Sequence, residues 1–229
     1  MAAILFAIAA LFVTGFSATP TAAKTSATAL ASSVNPSVSG QRITLTATVT
    51  GSGGGTPTGI VTFRDSTLSA TLGNAAIGAS GIATFSTSTL SVANHVLYAR
   101  YSGDANGYPA SSSPTLTQTV NKASTSTTLA PSPNPSVSGQ LVTLTATVAA
   151  VAPGSGTPSG TVTFSDGATT PGTGTVDAGM ATYAISSITV GTHQITAAYS
   201  GDAAHAPSTS PSLPQTVNPA TAPTQTTLA

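Results

Sequence analysis

The residues of this chain that could do chemistry are few, and the densest group lies near its C-terminal end. Ser200-Gly201-Asp202 stands between His193 and His205, which supplies the residue types of a serine-hydrolase triad. A nucleophile of that class sits on a sharp strand-to-helix turn flanked by glycines. Here the serine closes an alternating segment that His193 opens, so the two are expected at opposite ends of one strand. Tyr199-Ser200-Gly201-Asp202-Ala203 reads better as the turn leaving that strand, with the glycine supplying a positive φ and the aspartate bonding nearby backbone. His95 and His193 hold matching places in the sequence, and a ring that bonds backbone at a strand corner suits them better than catalysis.

Three other groupings are weighed the same way. Asp104-Ala105-Asn106-Gly107 resembles the opening of a calcium loop, but a hard cation wants six or more oxygens and the chain contains no Glu to complete the set. The second copy reads Asp202-Ala203-Ala204-His205 and loses the Asn, so turn chemistry is the expected role. A glycan-binding face would offer exposed rings for stacking. Trp is absent, and Tyr98 and Tyr108 are the tyrosines expected to point outward. Leu213-Pro214-Gln215-Thr216 imitates a sortase signal, but Val217 stands where that signal requires Gly, so the segment reads as a strand. No residue is assigned a catalytic, cofactor-binding or metal-binding role, and no cofactor is expected.

Composition narrows the classes further. The chain has 229 residues, five Lys+Arg and five Asp+Glu, for a net charge of +0. Charged residues make up 4%, against about 25% in an ordinary soluble domain. So few cations cannot form the basic face that phosphate neutralisation needs, which argues against nucleic acid as a partner. The absence of cysteine excludes disulfides, thiolate metal sites and cysteine nucleophiles. Residues 2–13 form an uninterrupted apolar run, too short for an ordinary membrane span of about 20 residues and suited to the core of a secretory signal peptide. Thr21-Ala22-Ala23 offers a cleavage site before Lys24. An N-terminal anchor is the other reading of 1–23, and both place the remainder outside the cytoplasm.

The elements that must position these residues come twice. Asn35-Pro36-Ser37-Val38-Ser39-Gly40-Gln41 recurs from Asn134 to Gln140, and Thr-Leu-Thr-Ala-Thr-Val recurs at 44–49 and 143–148. Val-Thr-Phe ends at Phe63 and Phe164, Tyr-Ser-Gly-Asp-Ala begins at Tyr101 and Tyr199, and Gln-Thr-Val-Asn begins at Gln118 and Gln215. Self-similarity at a fixed period marks a repeat protein. Within each block, apolar residues alternate with polar ones at period two, as in a strand with one buried face. Ile43, Leu45, Ala47 and Val49 share a face, as do Val61 and Phe63, and Leu97, Ala99 and Tyr101. The second copy sets out Val142, Leu144, Ala146 and Val148, then Phe164, Tyr183 and Tyr199, which are expected to meet in one core. Gly, Pro, Asn and Asp cluster between the blocks, where turns need them. The fold class is therefore all-β: two tandem immunoglobulin-like β-sandwiches of about seven antiparallel strands each.

The ordered blocks, seen twice, resemble the bacterial immunoglobulin-like domain of group 3. The resemblance covers about 28–121 and 128–218, and departs where Ala93-Asn94 replaces Gly191-Thr192 before the histidine. It implies an extracellular sandwich used as a spacer or an adhesive module, with no catalytic residues. The expected organisation is a signal peptide or anchor over 1–23, one repeat over 24–121, a second over 122–218, and over 219–229 a linker and the truncated start of a third, since Thr226-Thr227-Leu228-Ala229 copies Thr127-Thr128-Leu129-Ala130. Residues 122–127 and 219–224 read as short polar linkers. The expected function is a non-catalytic stalk in a larger secreted or cell-surface bacterial protein, whose partners are other domains of the same longer chain. The alternative is an adhesion or carbohydrate-binding accessory module with cell-surface or glycan ligands. No nucleic acid and no small-molecule substrate is expected.

Overall fold

The structure is a computed structural model and describes residues 23–220. The apolar run over 2–13 and the copy of Thr127–Ala130 at the C-terminal end lie outside the described residues. Nothing in 23–220 is helical. The first repeat runs β1 (Thr25–Ser32), β2 (Ser37–Val38), β3 (Ile43–Ser52), β4 (Ile60–Asp65), β5 (Ala70–Ala76), β6 (Ile82–Thr87), β7 (Ala93–Tyr101), β8 (Ser111–Ser112) and β9 (Leu116–Asn121). The second runs β10 (Thr125–Ser132), β11 (Ser136–Val137), β12 (Val142–Ala150), β13 (Thr161–Asp166), β14 (Thr169–Thr175), β15 (Met180–Ile185), β16 (Gly191–Tyr199), β17 (Ser208–Thr209) and β18 (Leu213–Asn218). Each repeat thus has seven strands of six residues or more and two two-residue segments.

Each repeat folds into two facing sheets. One is three-stranded, in the order β1-β3-β6 or β10-β12-β15. The other runs β2-β9-β7-β4-β5 or β11-β18-β16-β13-β14, with β8 or β17 added against β7 or β16. All pairings are antiparallel except those of β2 with β9 and β11 with β18. The alternation read in the sequence decides which side faces in. Ile43, Leu45, Ala47 and Val49 are buried against Val61, Phe63, Leu97, Ala99 and Tyr101 in one core. Phe164 and Tyr199 lie in the equivalent core of the second repeat, with Tyr183 packed partly buried against it.

The aromatic rings bridge the two sheets. Phe63 stacks on Phe85 with centroids 5.7 Å apart, and Phe164 on Tyr183 at 6.0 Å. Room for the second ring comes from a glycine in the strand beside the first. Gly73 pairs with Phe63 and Gly172 with Phe164, and a Cβ at either glycine would overlap the ring of Phe85 or Tyr183.

The recurring Asn and Gln residues tie the first strand to the last. Asn35 accepts a bond from Thr119 N and donates to Thr117 O; Asn134 does the same with Thr216 N and Pro214 O. Gln118 and Gln215 are fully buried. Their amides donate to Val34 O and Ser37 Oγ in the first repeat, and to Pro133 O and Ser136 Oγ in the second. A buried amide at each place satisfies the chain where β1 or β10 breaks off and crosses to the other sheet.

The boundary between repeats differs from the expected linker. Ala123 is fully buried and forms a parallel bridge with His205, donating its N–H to Ala204 O and accepting from Ala206 N. Thr127 is buried as well. Residues 123–127 therefore belong to the second sandwich, and only Lys122 lies between β9 and that bridge. The alternation of small and hydroxyl side chains there resembles linker composition, but it is an edge strand whose hydroxyls find partners. The Ala93-Asn94 departure leaves the register intact: Ala93 pairs with Val120 as Gly191 pairs with Val217.

Candidate functional site

Each histidine in the described residues is paired with an aspartate. His95 at the start of β7 meets Asp65 at the end of β4, with Nδ1 2.6 Å from Oδ2, and both side chains fully buried. His193 and Asp166 make the same pair at 2.6 Å, with side-chain exposures of 16% and 28%. The strands bring them together because β4 and β7, and β13 and β16, are paired antiparallel neighbours. Sequence reading gave these rings a backbone partner and missed the carboxylate. Both are present: Nε2 lies 2.9 Å from Ser91 O in the first repeat and from Thr189 O in the second.

That second contact decides what the pair can do. A carbonyl oxygen only accepts, so Nε2 carries its hydrogen and donates it. Nδ1 is held against a carboxylate. Neither nitrogen has a lone pair free to take a proton from a hydroxyl, as a general base must. The pair pins the loop ahead of β7 or β16 to the end of β4 or β13. At His193, burial lowers the pKa, but the bond to Thr189 O and the Asp166 carboxylate outweigh it and raise it above the ordinary imidazole value. The second pair borders a cavity of about 180 Å³ floored by Leu144, Ile185 and Ile188. In the first repeat Leu90 is buried in the core and the pair is sealed.

The structure brings Asp202 and His205 together, but among the described residues Ser200 has no hydrogen bond to either histidine. Ser200, just past the end of β16, lies seven positions from His193, about 24 Å at the rise of an extended strand. Its hydroxyl donates to Gly201 O and accepts from Thr161. His205 turns its Nδ1 to both oxygens of Asp202 at 3.0 Å.

The aspartates of the recurring turn act on backbone. Asp104 Oδ1 accepts from Asn106 N and Tyr108 N, and Oδ2 from the N–H and hydroxyl of Thr58. Burial pushes its carboxyl up, but these four bonds outweigh it and hold the pKa at about 2. Asp202 accepts from Ala204 N and His205 N, and from Ser159 N and Oγ. Burial opposes its ionisation too; the Ser159, His205 and Ala204 donors prevail and hold it well below the usual carboxylate range. Behind this turn, burial and the Asp202 charge push the Tyr199 phenol up to about 12. The carboxylates are fully occupied by donors, as turn chemistry expects. Among the described residues, no three His, Cys, Asp or Glu side chains cluster in a way that could hold a metal ion.

Tyr108 is a correction. It was expected to point outward, but it is only 2% exposed. Its ring lies against Gly51, its hydroxyl donates to Gly54 O and Gly55 O, and the Lys24 ammonium sits 4.6 Å from its centroid. The glycines of 51–55 leave a ring-sized slot that only the folded loop reveals. Leu213-Pro214-Gln215-Thr216 lies within β18, with Gln215 buried.

Two facing sheets, closed by a first strand that crosses from one to the other, define an immunoglobulin-like β-sandwich in each half. The profile of the bacterial Ig-like domain (group 3) matches residues 30–121 and again 128–218, and the chain belongs to that family. No curated protein sequence matches it. Among solved structures, the fibronectin(III)-like modules of CbhA from Clostridium thermocellum align over 84% of this chain and 94% of theirs, at 19% identity and a TM-score of 0.34. The adhesin InvE of Yersinia pseudotuberculosis aligns over 80% of this chain and 58% of its own, at 19% identity and 0.38. The Escherichia coli adhesin FdeC aligns over 86% and 64%, at 16% identity and 0.34. The family assignment rests on the two profile matches.

Proposed function

We propose that this chain is a non-catalytic stalk, an extracellular spacer within a larger bacterial surface or secreted protein. One observation carries the reading: each repeat begins at one pole and ends at the other. Thr25 pairs with Ser52, where β3 ends. Asn121 lies beside Val38, at the pole where β3 and β7 begin. The second repeat follows after the single residue Lys122, so the lengths of the two sandwiches add. A module built this way transmits distance and needs neither a pocket nor a titrating group. The titratable pairs that it does have are turned to holding loops. The adhesive alternative loses support from Tyr108, one of its two candidate stacking rings, which is turned into the sandwich.

The extracellular half of the proposal is tested on intact cells of the host. Antibodies raised against the chain should bind unpermeabilised cells or the culture medium, and external protease should remove the signal. Reactivity that appears only after lysis would overturn it.

A further inference from the structure

A turn of the first repeat meets a loop of the second. Val38–Gln41 forms a tight turn, closed by Gln41 N donating to Val38 O and Val38 N donating to Gln41 Oε1, with Gly40 at φ 74°. Against it lies Ser155, in the loop between β12 and β13. Ser155 N donates to Ser39 O at 3.3 Å, and its hydroxyl donates to Gly40 O at 2.9 Å. A Cβ on Gly40 would overlap the Ser155 hydroxyl and sit 2.6 Å from Ser155 O. The loop that presents Ser155 is held to its own repeat. Val151 N bonds Ser124 O, and Gly154 lies so close to Ala123 that a Cβ would meet it at 2.5 Å.

Two sequence facts agree with a dedicated contact. The loop carrying Ser155 is two residues longer than its counterpart in the first repeat, and that counterpart has Gly54 in the place of Ser155. The reaching serine belongs to the repeat that follows another in this chain. The turn itself is present in both: Ser138 and Gly139 repeat Ser39 and Gly40, with Gly139 at φ 82° and Gln140 Oε1 accepting from Val137 N. Among the described residues, nothing lies within 4 Å of a Cβ on Gly139. Around it, Val137 and Leu141 are 44% and 58% exposed, and Val190 at the same pole 53%.

We infer that this turn is one half of a fixed joint between consecutive repeats, and that the Ser138–Gly139 turn is an open seat for the corresponding loop of a following Ig-like repeat. The seat already taken on the first repeat, and the renewed Thr226-Thr227-Leu228-Ala229 sequence downstream, identify that occupant. The inference rests on the stalk reading only for its purpose; the contact itself is independent of where the protein resides.

Paired glycine variants separate the joint from the turn. Gly40→Ala and Gly139→Ala place a Cβ at nearly the same φ, and only the first meets Ser155. The chain has no cysteine, so spin labels on Thr84→Cys and Thr182→Cys report the distance between repeats cleanly. The parent should give one narrow distance distribution. Gly40→Ala should broaden or shift it, Gly139→Ala should not, and Ser155→Ala, which leaves both turns untouched, should broaden it as well. A second chain carries an additional copy of 122–218 directly after Asn218, with the labels on Thr182→Cys of the second repeat and of its copy. There Gly139→Ala should broaden a distribution that is otherwise as narrow as the first. Gly40→Ala and Ser155→Ala both leaving the first distance unchanged would overturn the joint. Gly139→Ala remaining silent in the longer chain, or a broad parent distribution there, would overturn the open seat. Surface labelling of cells tests the stalk reading separately, so the two can fail independently.

Discussion

Asp104 and Asp202 organise the turn that follows β7 and β16, and each does so only while ionised. Their folded pKa values lie below the ordinary value of 3.8, so their contribution is fully present above that value and is lost as the pH falls through it toward 2. Thermal melts of the chain between pH 5 and pH 2 should show stability falling steeply with acid. Asp104→Asn with Asp202→Asn should melt lower at pH 5 and lose less between pH 5 and 2. Parallel curves for the two proteins would show that these carboxylates are not the groups that matter. His193 runs the other way. Its raised pKa means that its contribution is complete below about 6.5 and fades as the pH rises through the folded value. The histidine–aspartate pairs were half legible: the backbone partner followed from the corner position, but Asp65 and His95 lie 30 residues apart, and nothing in local spacing announces a pairing made by strand neighbours.

At the scale of elements, the stacked rings hold the sheets together and depend on glycines that carry no apolar signal of their own. Gly172→Ala should force the Tyr183 ring out of its place beside Phe164, a kind of overpacking that costs about 1–3 kcal/mol. In a Tyr183→Ala background the same change should cost much less, because the clash is gone. A melting temperature unmoved by Gly172→Ala would contradict this account of the sheet interface. These strands also show where the sequence was silent. β3, β4, β6, β7 and their copies alternate Val, Leu, Phe and Tyr with Thr, and their buried faces were readable residue by residue. β5 and β14, at the sheet edge, read Ala-Thr-Leu-Gly-Asn-Ala-Ala and Thr-Thr-Pro-Gly-Thr-Gly-Thr, and are strands because their neighbours and the rings over Gly73 and Gly172 make them so. The first residues of β10, Thr125–Thr127, read as linker for a related reason. The hydroxyl partner of Thr125 and Thr127, Ser208, is about 80 residues away.

At the scale of the whole molecule, the repeats join with one residue between their bonded ends, and the boundary has a consequence for dissection. We expect a piece spanning 122–218 to fold alone. A piece beginning at residue 128 would lack the Ala123 bridge, buried Thr127, and the Thr125 and Thr127 bonds to Ser208. At about 1 kcal/mol per hydrogen bond, it should be less stable by on the order of 3 kcal/mol. Equal denaturation midpoints would place the boundary after 127. The central claim is that the two sandwiches add their lengths. A strand of about 8 residues spans nearly 30 Å, and turns at both poles bring a module to about 40 Å, so two in line make a rod of about 80 Å. Small-angle scattering on the chain measures this directly. The stalk predicts a radius of gyration of about 24 Å, as for a uniform rod of that length, unchanged between low and high salt because the surface has almost no charge to screen. A value of about 16–17 Å, that of a compact globule of 200 residues, would contradict it.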